Sequence, residues 1–496
     1  QNCCSQGSSV APRRPVSSRI VPPAMQWSWL PALWVLLPLA ATVGAQSHPG
    51  TGVFEPWLQQ FWETHGHPND WARNRRAGEP WDIRVTKGLG PKGYGKVRVS
   101  VIAPELEAFP DFNFTYRSQF RHRWTENFLH SALLDMSPGA NKLTIGGQDV
   151  VVDLPAEDAG VRGIMWGDPC ISSKWIGCAF GSRFHTFDRS HQMLNAAFKD
   201  PTMDFFAILG DNFYDQTGEL TKTLFAQLSP DVKRRFIMAV NGNHDNWICG
   251  EPECGNHSDN FGQGQMQYYA MDAVSSTLPP QDDANFLSFA VDPDRERRWS
   301  TFQNEASNFL TYHKLGNLGF LIFSGAASFA ENEPHFREAC GYFAEARPAM
   351  VFLMGHWNEP GYGCSSTMTT PAVREELLKI PGCAAFGDRL KYFDGHEHCN
   401  HVQARSSTSP YGFMVGGHGM SGACKPQFGF LYVDSTGGRV ALRYFEVDSE
   451  ERGDRFAQIA ECVRSRGGLH ACTELADTWL DEPVHAGREG TATIAV

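Results

Sequence analysis

Between residues 161 and 450 the chain repeats one short arrangement: a run of apolar residues, a glycine, and then at once Asp, Asn or His. Gly163-Ile164-Met165-Trp166 precedes Gly167-Asp168, and Phe205-Phe206-Ala207-Ile208-Leu209 precedes Gly210-Asp211. Phe236-Ile237-Met238-Ala239-Val240 leads to Gly242-Asn243-His244, and Met350-Val351-Phe352-Leu353-Met354 leads to Gly355-His356. Leu390-Lys391-Tyr392-Phe393 leads to Gly395-His396-Glu397-His398. Apolar runs this short read as buried strands, and a glycine at the strand end permits a tight turn and close backbone approach. The spacers carry helical patterns. Arg189 to Lys199 places Met193, Ala196 and Ala197 on one face, and Thr370 with Pro371 reads as N-cap and first helical residue before Val373, Leu377 and Ile380. Strands alternating with helices imply an α/β chain of parallel units, whose ligands gather at the carboxyl ends of the strands. Five polar signatures would therefore face one crevice.

The flanking regions differ. Residues 46–95 are rich in Trp, Pro and Gly, whereas 96–155 alternate as strands do, with a Ser137-Pro138-Gly139 turn. They suit either a small all-β domain or an N-terminal extension of the main sheet. Residues 246–300 read as a long loop inserted over the crevice. Phe456, Ile459, Ala460 and Val463 mark an amphipathic helix, with Cys462 and Cys472 flanking Gly467-Gly468 as in a stapled helical hairpin.

Composition decides the compartment. Thirteen cysteines would be unusual in a reducing cytosol and suggest disulfides. Met25 opens an apolar run that ends Val43-Gly44-Ala45, the pattern of a signal peptide cleaved after Ala45, with an uncleaved membrane anchor as the alternative. Removing 1–45 would take away three arginines, no acids, Cys3 and Cys4, shifting the charge from −12 to −15 and leaving 11 cysteines. Asn113-Phe114-Thr115 and Asn256-His257-Ser258 are glycosylation sequons. These features together predict a secreted or lysosome-like glycoprotein. No later apolar run is long enough to span a bilayer, and an acidic chain without a basic stripe is a poor candidate for nucleic-acid binding.

The strand ends supply Asp168, Asp211, Tyr214, Asn243, His244, His356, His396 and His398. Oxygen and imidazole donors suit iron, zinc or manganese. One carboxylate can bridge two ions about 3.5 Å apart, and such a pair can clamp a phosphoryl group and generate a hydroxide nucleophile. Taken singly, a Gly-Asp is usually a turn and a lone His usually a core or surface residue. Five in order, each after an apolar strand, reverse that balance. In an extended segment His396 and His398 would point the same way and Glu397 the other.

These blocks, and above all Gly210-Asp211-Asn212-Phe213-Tyr214 followed by Gly242-Asn243-His244-Asp245, resemble the calcineurin-like metallophosphoesterases, and within them the purple acid phosphatases. Most of that superfamily opens with Asp-x-His, whereas here the triplet is Asp168-Pro169-Cys170 and Tyr214 stands where the purple enzymes place a tyrosinate. The resemblance implies a four-layer α-β-β-α sandwich core with an N-terminal β-rich region, fibronectin-like in the plant enzymes. It implies an iron held by Asp168, Asp211, Tyr214 and His398. A second divalent metal (Zn, Mn or Fe) would be held by Asp211, Asn243, His356 and His396. His244 would donate to the phosphate or the leaving group. The further His that the family often carries beyond the Gly-His block is absent from Trp357 to Thr370, where Glu359 is the nearest ionisable group. Gly416-Gly417-His418-Gly419 reads as structural, with His418 a lesser candidate for the crevice rim.

The expected organisation is an upstream segment and signal (1–45), a β-rich region (46–158), a catalytic domain (159–450) and a helical tail (451–496). The expected activity is that of a secreted acid phosphatase acting on small phosphorylated substrates or phosphoproteins. A phosphodiesterase or nucleotide pyrophosphatase on the same site is one alternative; a non-catalytic extracellular binding protein on the same scaffold is the other. Cys170 is expected to pair with Cys178, and Cys249 with Cys254 across a loop. Cys340, Cys364, Cys383, Cys399 and Cys424 are left open as to pairing.

Overall fold

The computed structural model describes residues 81–484 apart from 88–92, 104–107, 123–124, 170–183, 213–218, 246–268, 270, 272–286, 292–309, 327 and 420–422. The expected signal segment, Tyr214, Cys170, Cys178, Cys249, Cys254 and Asn256 lie outside the described residues.

Two sheets carry the fold. In chain order the strands of the first half are β1 (Asp82–Thr86), β2 (Lys96–Ala103), β3 (Tyr116–His122), β4 (Thr125–Asp135), β5 (Gly139–Ile145), β6 (Gln148–Leu154), β7 (Arg162–Trp166), β8 (Phe205–Ile208), β9 (Phe236–Ala239) and β10 (Leu287–Val291). Then come β11 (Leu310–Leu315), β12 (Leu318–Phe323), β13 (Met350–Met354), β14 (Leu390–Asp394), β15 (Asn400–Arg405) and β16 (Pro410–Val415). The last are β17 (Gln427–Asp434), β18 (Arg439–Ser449), β19 (Gly453–Asp454) and β20 (Asp477–Pro483). The larger sheet runs β10-β3-β4-β2-β1-β9-β8-β7-β17-β18-β19, with β20 also on β18, and the smaller runs β11-β12-β13-β14-β16-β15. β7, β8 and β9 are mutually parallel, as are β12, β13 and β14.

Side-chain alternation builds the layers. On β12, Leu318, Phe320 and Ile322 join the same core as β7 to β9, while Leu321 and Phe323 join a second core on the opposite face. On β13, Met350, Phe352 and Met354 face the first core and Val351 and Leu353 the second. Phe205 of β8 meets Phe320 edge to face at 5.2 Å, so the two sheets pack against each other. The second core is closed by α3 (Phe329–Ala346) and α4 (Thr370–Leu377), after α1 (Thr186–Ala197) and α2 (Glu219–Gln227) in the chain. The outer face of the larger sheet is covered by α1 and by α5 (Phe456–Arg466), through Met193, Leu194, Ile459 and Val463. The result is the α-β-β-α sandwich.

The structure changes several expectations. β1 to β4 continue the larger sheet, β1 pairing with β9 in parallel, while β5 and β6 form a small sheet of their own. Part of 246–300 is not loop: β10 adds to the sheet edge beside β3. Among the described residues of the tail beyond residue 451, α5 and two short 3-10 turns (Leu469–Ala471 and Thr473–Leu475) are helical. Cys462 and Cys472 are bonded, but the chain then returns as β20 along β18, where Trp479 and Leu480 are buried. The strand is otherwise polar, and these two side chains are what it buries against the sheet. The cap of α4 is Thr369 rather than Thr370, because its hydroxyl accepts from Ala372 N, which puts Pro371 one place further in. Cys340–Cys383 and Cys399–Cys424 are also disulfides, and Cys364 is the free cysteine among the described residues. Among those residues no helix is long and apolar enough to cross a membrane.

Candidate metal centre

The strand ends meet because backbone bonds knit them together. Asp168 N donates to Gly210 O at 3.1 Å, Gly355 N to Phe393 O at 3.0 Å and Gly395 N to His356 O at 3.0 Å. The glycines leave room for the ligand side chains to close in: at Gly210 (φ +91°) an added Cβ would lie 2.4 Å from His356 Nδ1. Asp168, Asp211, His396 and His398 all adopt left-handed backbone (φ 51°, 49°, 67° and 57°). Each such residue costs about 1–2 kcal/mol, a strain that persists only where surrounding structure enforces it. Five of the seven non-glycine residues with positive φ among the described residues are these four and Tyr362, which stands beside His396.

Six of the expected residues converge. His356 Nε2 lies 3.1 Å from Asn243 Oδ1 and 3.3 Å from Asp211 Oδ1. His396 Nδ1 lies 3.1 Å from the same Asn243 oxygen, and His398 Nε2 lies 3.4 Å from Asp168 Oδ1. Asp168 Oδ2 accepts from His396 N at 3.0 Å. Ligand atoms of Asp168, Asp211 and His356 fall within 4.8 Å of one another, and all three residues are buried. His244 is half-buried, its backbone N donating to Asp211 Oδ1 at 2.9 Å. Glu359 lies exposed on the loop after His356.

This donor set fits a cation. His356 Nδ1 sits 2.9 Å from Leu209 O, which can only accept, so a neutral ring carries its proton there. Its Nε2 lone pair then faces two oxygens, an arrangement that repels unless positive charge lies between them. In the protein alone a proton supplies it. Burial pushes the His356 pKa down, but Asp211 and Asp168 outweigh burial and carry it up to about 10. Burial likewise opposes ionisation of Asp211, yet His356 and His244 hold its carboxyl well below the usual range. Burial and the His356 charge push His396 down to about 4, leaving its ring neutral and able to donate a lone pair even in mild acid.

Two residues beyond the expected set position the ligands. Asp245 accepts from Gly242 N (2.7 Å), Asn212 N (2.7 Å) and Asn212 Nδ2 (2.8 Å), tying the β8 end to the β9 end. Both Asp245 and Asn212 lie inside the sequence blocks that contain Asp211 and Asn243. Glu397 does turn away from the cluster, its Oε2 accepting from Asn358 Nδ2 at 2.9 Å. The two imidazoles share a pocket through bends rather than an extended segment: both histidines are left-handed, and Glu397 N bonds Gly395 O at 2.8 Å. Cys399–Cys424 anchors the chain immediately after His398. His418 is structural, lying between Ser190 Oγ (2.8 Å) and Gly429 O (2.9 Å) and stacked on Trp166, where burial takes its pKa down to about 3.

Among solved structures the chain is similar to purple acid phosphatase PPD1 from yellow lupin (Lupinus luteus) seeds, at 13% identity over 76% of this chain and 73% of that one (TM-score 0.47). It is similar to a dimetal phosphatase from Danio rerio at 11% identity, covering 58% and 96% of the two chains (TM-score 0.31). GAP50, the anchor in the inner membrane complex of Plasmodium, is 13% identical over 60% of this chain and 87% of its own (TM-score 0.30). These likenesses are too distant to say what this chain acts on. No curated protein matches the sequence. A family model for calcineurin-like phosphoesterase matches residues 145–400, which hold every described strand end of the cluster. With that match spanning just over half its length, the chain belongs to the calcineurin-like phosphoesterases.

Proposed function

We propose that the chain is a secreted dimetal phosphohydrolase that cleaves phosphate monoesters in mildly acidic surroundings, in the manner of the purple acid phosphatases. The observation that carries this reading is the convergence of Asp168, Asp211, Asn243, His356, His396 and His398 on one site, with ligand atoms of buried Asp168, Asp211 and His356 within 4.8 Å of one another. Asp211, Asn243, His356 and His396 would hold a divalent ion. Asp168, Asp211, His398 and Tyr214 would hold an iron, with Asp211 shared. When bound, two such cations supply positive charge for the phosphoryl oxygens and lower the pKa of water.

The remaining work falls to the chain's own groups. The Leu209 carbonyl holds the His356 ring so that Nε2 points into the site. Trp357, buried and edge-on to His356 at 5.1 Å, keeps water from the back of the cluster. His244, held beside Asp211, would donate to a phosphate oxygen or to the departing alcohol. Water's oxygen bonds to phosphorus, the ester P–O bond breaks, and the proton goes to the alkoxide, giving alcohol and inorganic phosphate. Three disulfides and an exposed Asn113 in a glycosylation triplet support an oxidising, secretory setting. The substrates would be small phosphorylated molecules or phosphoproteins.

The test compares kcat/KM for p-nitrophenyl phosphate and bis(p-nitrophenyl) phosphate on metal-loaded protein from acid to neutral pH. The monoester should be faster, with an acidic optimum. A faster diester would replace the monoesterase with a phosphodiesterase. Hydrolysis of neither would leave a binding protein.

A further inference from the structure

Tyr362 is the exposed large hydrophobic side chain among the described residues, at 66% accessible, and it stands at the mouth of the metal centre. Its ring meets the His396 imidazole edge to face, centroids 5.4 Å apart at 61°. The backbone is built to hold it there. Cys364 N donates to Gly361 O at 2.9 Å, closing a four-residue turn in which Tyr362 (φ 49°) and Gly363 (φ 83°) are both left-handed. Turns with both central residues left-handed favour Gly, Asn and Asp; a bulky aromatic is the wrong residue for the geometry. The turn is pinned at its base, where Ser365 N donates to Gly325 O at 2.9 Å. On the inner side of the same imidazole lies buried Trp357, 6.3 Å away. Neither the turn nor the core requires a tyrosine here.

We infer that Tyr362 is a specificity-determining platform on which the leaving group of an aromatic phosphate monoester stacks. The inference rests on the phosphohydrolase reading and adds a substrate class to it: esters whose alcohol is a planar aromatic. A phosphate held beside His396 would direct its ester oxygen outward, past the exposed large hydrophobic ring among the described residues. An aryl group there covers an apolar face that is otherwise wet, and offset or edge-to-face aromatic pairs add attraction beyond area. An alkyl leaving group gains little. The phenol oxygen is not required, so the ring and the hydroxyl make separable predictions.

The experiment is calorimetric titration of the metal-loaded full chain with methylphosphonate, phenylphosphonate and inorganic phosphate, whose binding needs no turnover. The wild type should bind phenylphosphonate roughly two- to twelvefold more tightly than methylphosphonate. Tyr362→Phe should keep that preference. Tyr362→Gly, and Tyr362→Asn as a second variant suited to the turn, should abolish it while leaving methylphosphonate affinity and inorganic phosphate affinity unchanged. Their melting temperatures should be no lower than wild type, because either residue fits a left-handed position better than Tyr. A phenyl preference that survives both variants overturns the platform. Equal loss of all three ligands, or a lowered melting temperature, also overturns it and makes the ring a prop for His396. Failure of every ligand to bind wild type overturns the phosphohydrolase reading as well, which separates the two failures.

Discussion

Gly395→Ala is a one-methyl perturbation whose consequence can be worked out atom by atom. A Cβ on Gly395 would lie 2.4 Å from Asp168 Oδ2, 3.2 Å from Leu209 O and 3.3 Å from His356 Nδ1. Ordinary contact begins near 3.4 Å, so the carboxylate would have to retreat by about 1 Å. It cannot do so freely. Oδ2 accepts from His396 N at 3.0 Å, Oδ1 faces His398 Nε2 at 3.4 Å, and the Leu209 carbonyl is fixed because Leu209 N bonds Trp166 O at 2.7 Å. A misplacement of about 1 Å in a reacting assembly costs on the order of 10²-fold in rate. Overpacking the site should also cost about 1–3 kcal/mol of stability. The assay is kcat/KM on p-nitrophenyl phosphate beside urea unfolding, with Gly341→Ala as control. Gly341 lies exposed in α3 with no atom within 4 Å of its Cβ position. That control should gain about 0.5–1 kcal/mol and keep full activity. A Gly395→Ala protein with wild-type kcat/KM, beside a control that behaves as stated, would refute the placement of Asp168 at the working centre.

Three further outcomes are expected from other parts of the molecule. If Tyr214 binds iron, the purified protein absorbs in the visible and Tyr214→Phe loses that band while other ligands keep the metals; a colourless, fully active wild type contradicts it. Replacing Cys340 and Cys383, which close a separation of 43 residues, with serine should cost about 2–4 kcal/mol in urea unfolding, and no measurable loss would show that α3 and the segment between α4 and β14 need no covalent tie. Asp204 has its carboxyl pushed up to about 7, chiefly by burial, although it accepts from Arg162 N at 2.9 Å. The folded state therefore holds that proton more tightly than the unfolded one, and stability falls as pH rises from about 4 through 7. Asp204→Asn should flatten that fall, seen in urea midpoints against pH; an unchanged slope would remove Asp204 as its source.

How much of the molecule is legible in the sequence depends on how local the cause is. Apolar runs ending in glycine announce β7, β8, β9, β13 and β14, because a buried strand and a tight exit are both written in consecutive residues. The pairing of those strands into two sheets is not local, and only the family resemblance points to it. Sequence spacing groups His396 with His398 correctly but for the wrong reason: left-handed bends, not extended backbone, aim both rings. α3 gives no clear signal because Pro334 interrupts its pattern, although Ser328 and Glu331 form a complete capping box. Tyr362 carries no signal either, since a tyrosine between two glycines in a loop is unremarked in any motif. Only the backbone angle shows that Gly361 and Gly363 frame an aromatic ring held out against its own preference.

The central claim is that the cluster around Asp211 holds two metal ions. Elemental analysis of the dialysed full chain tests it most directly, with Asp211→Asn beside it. Two ions per wild-type chain, at least one of them iron, and fewer in the variant are the expected result. A wild-type chain that retains no metal after reconstitution, or a variant that retains both ions with wild-type affinity, would contradict the account.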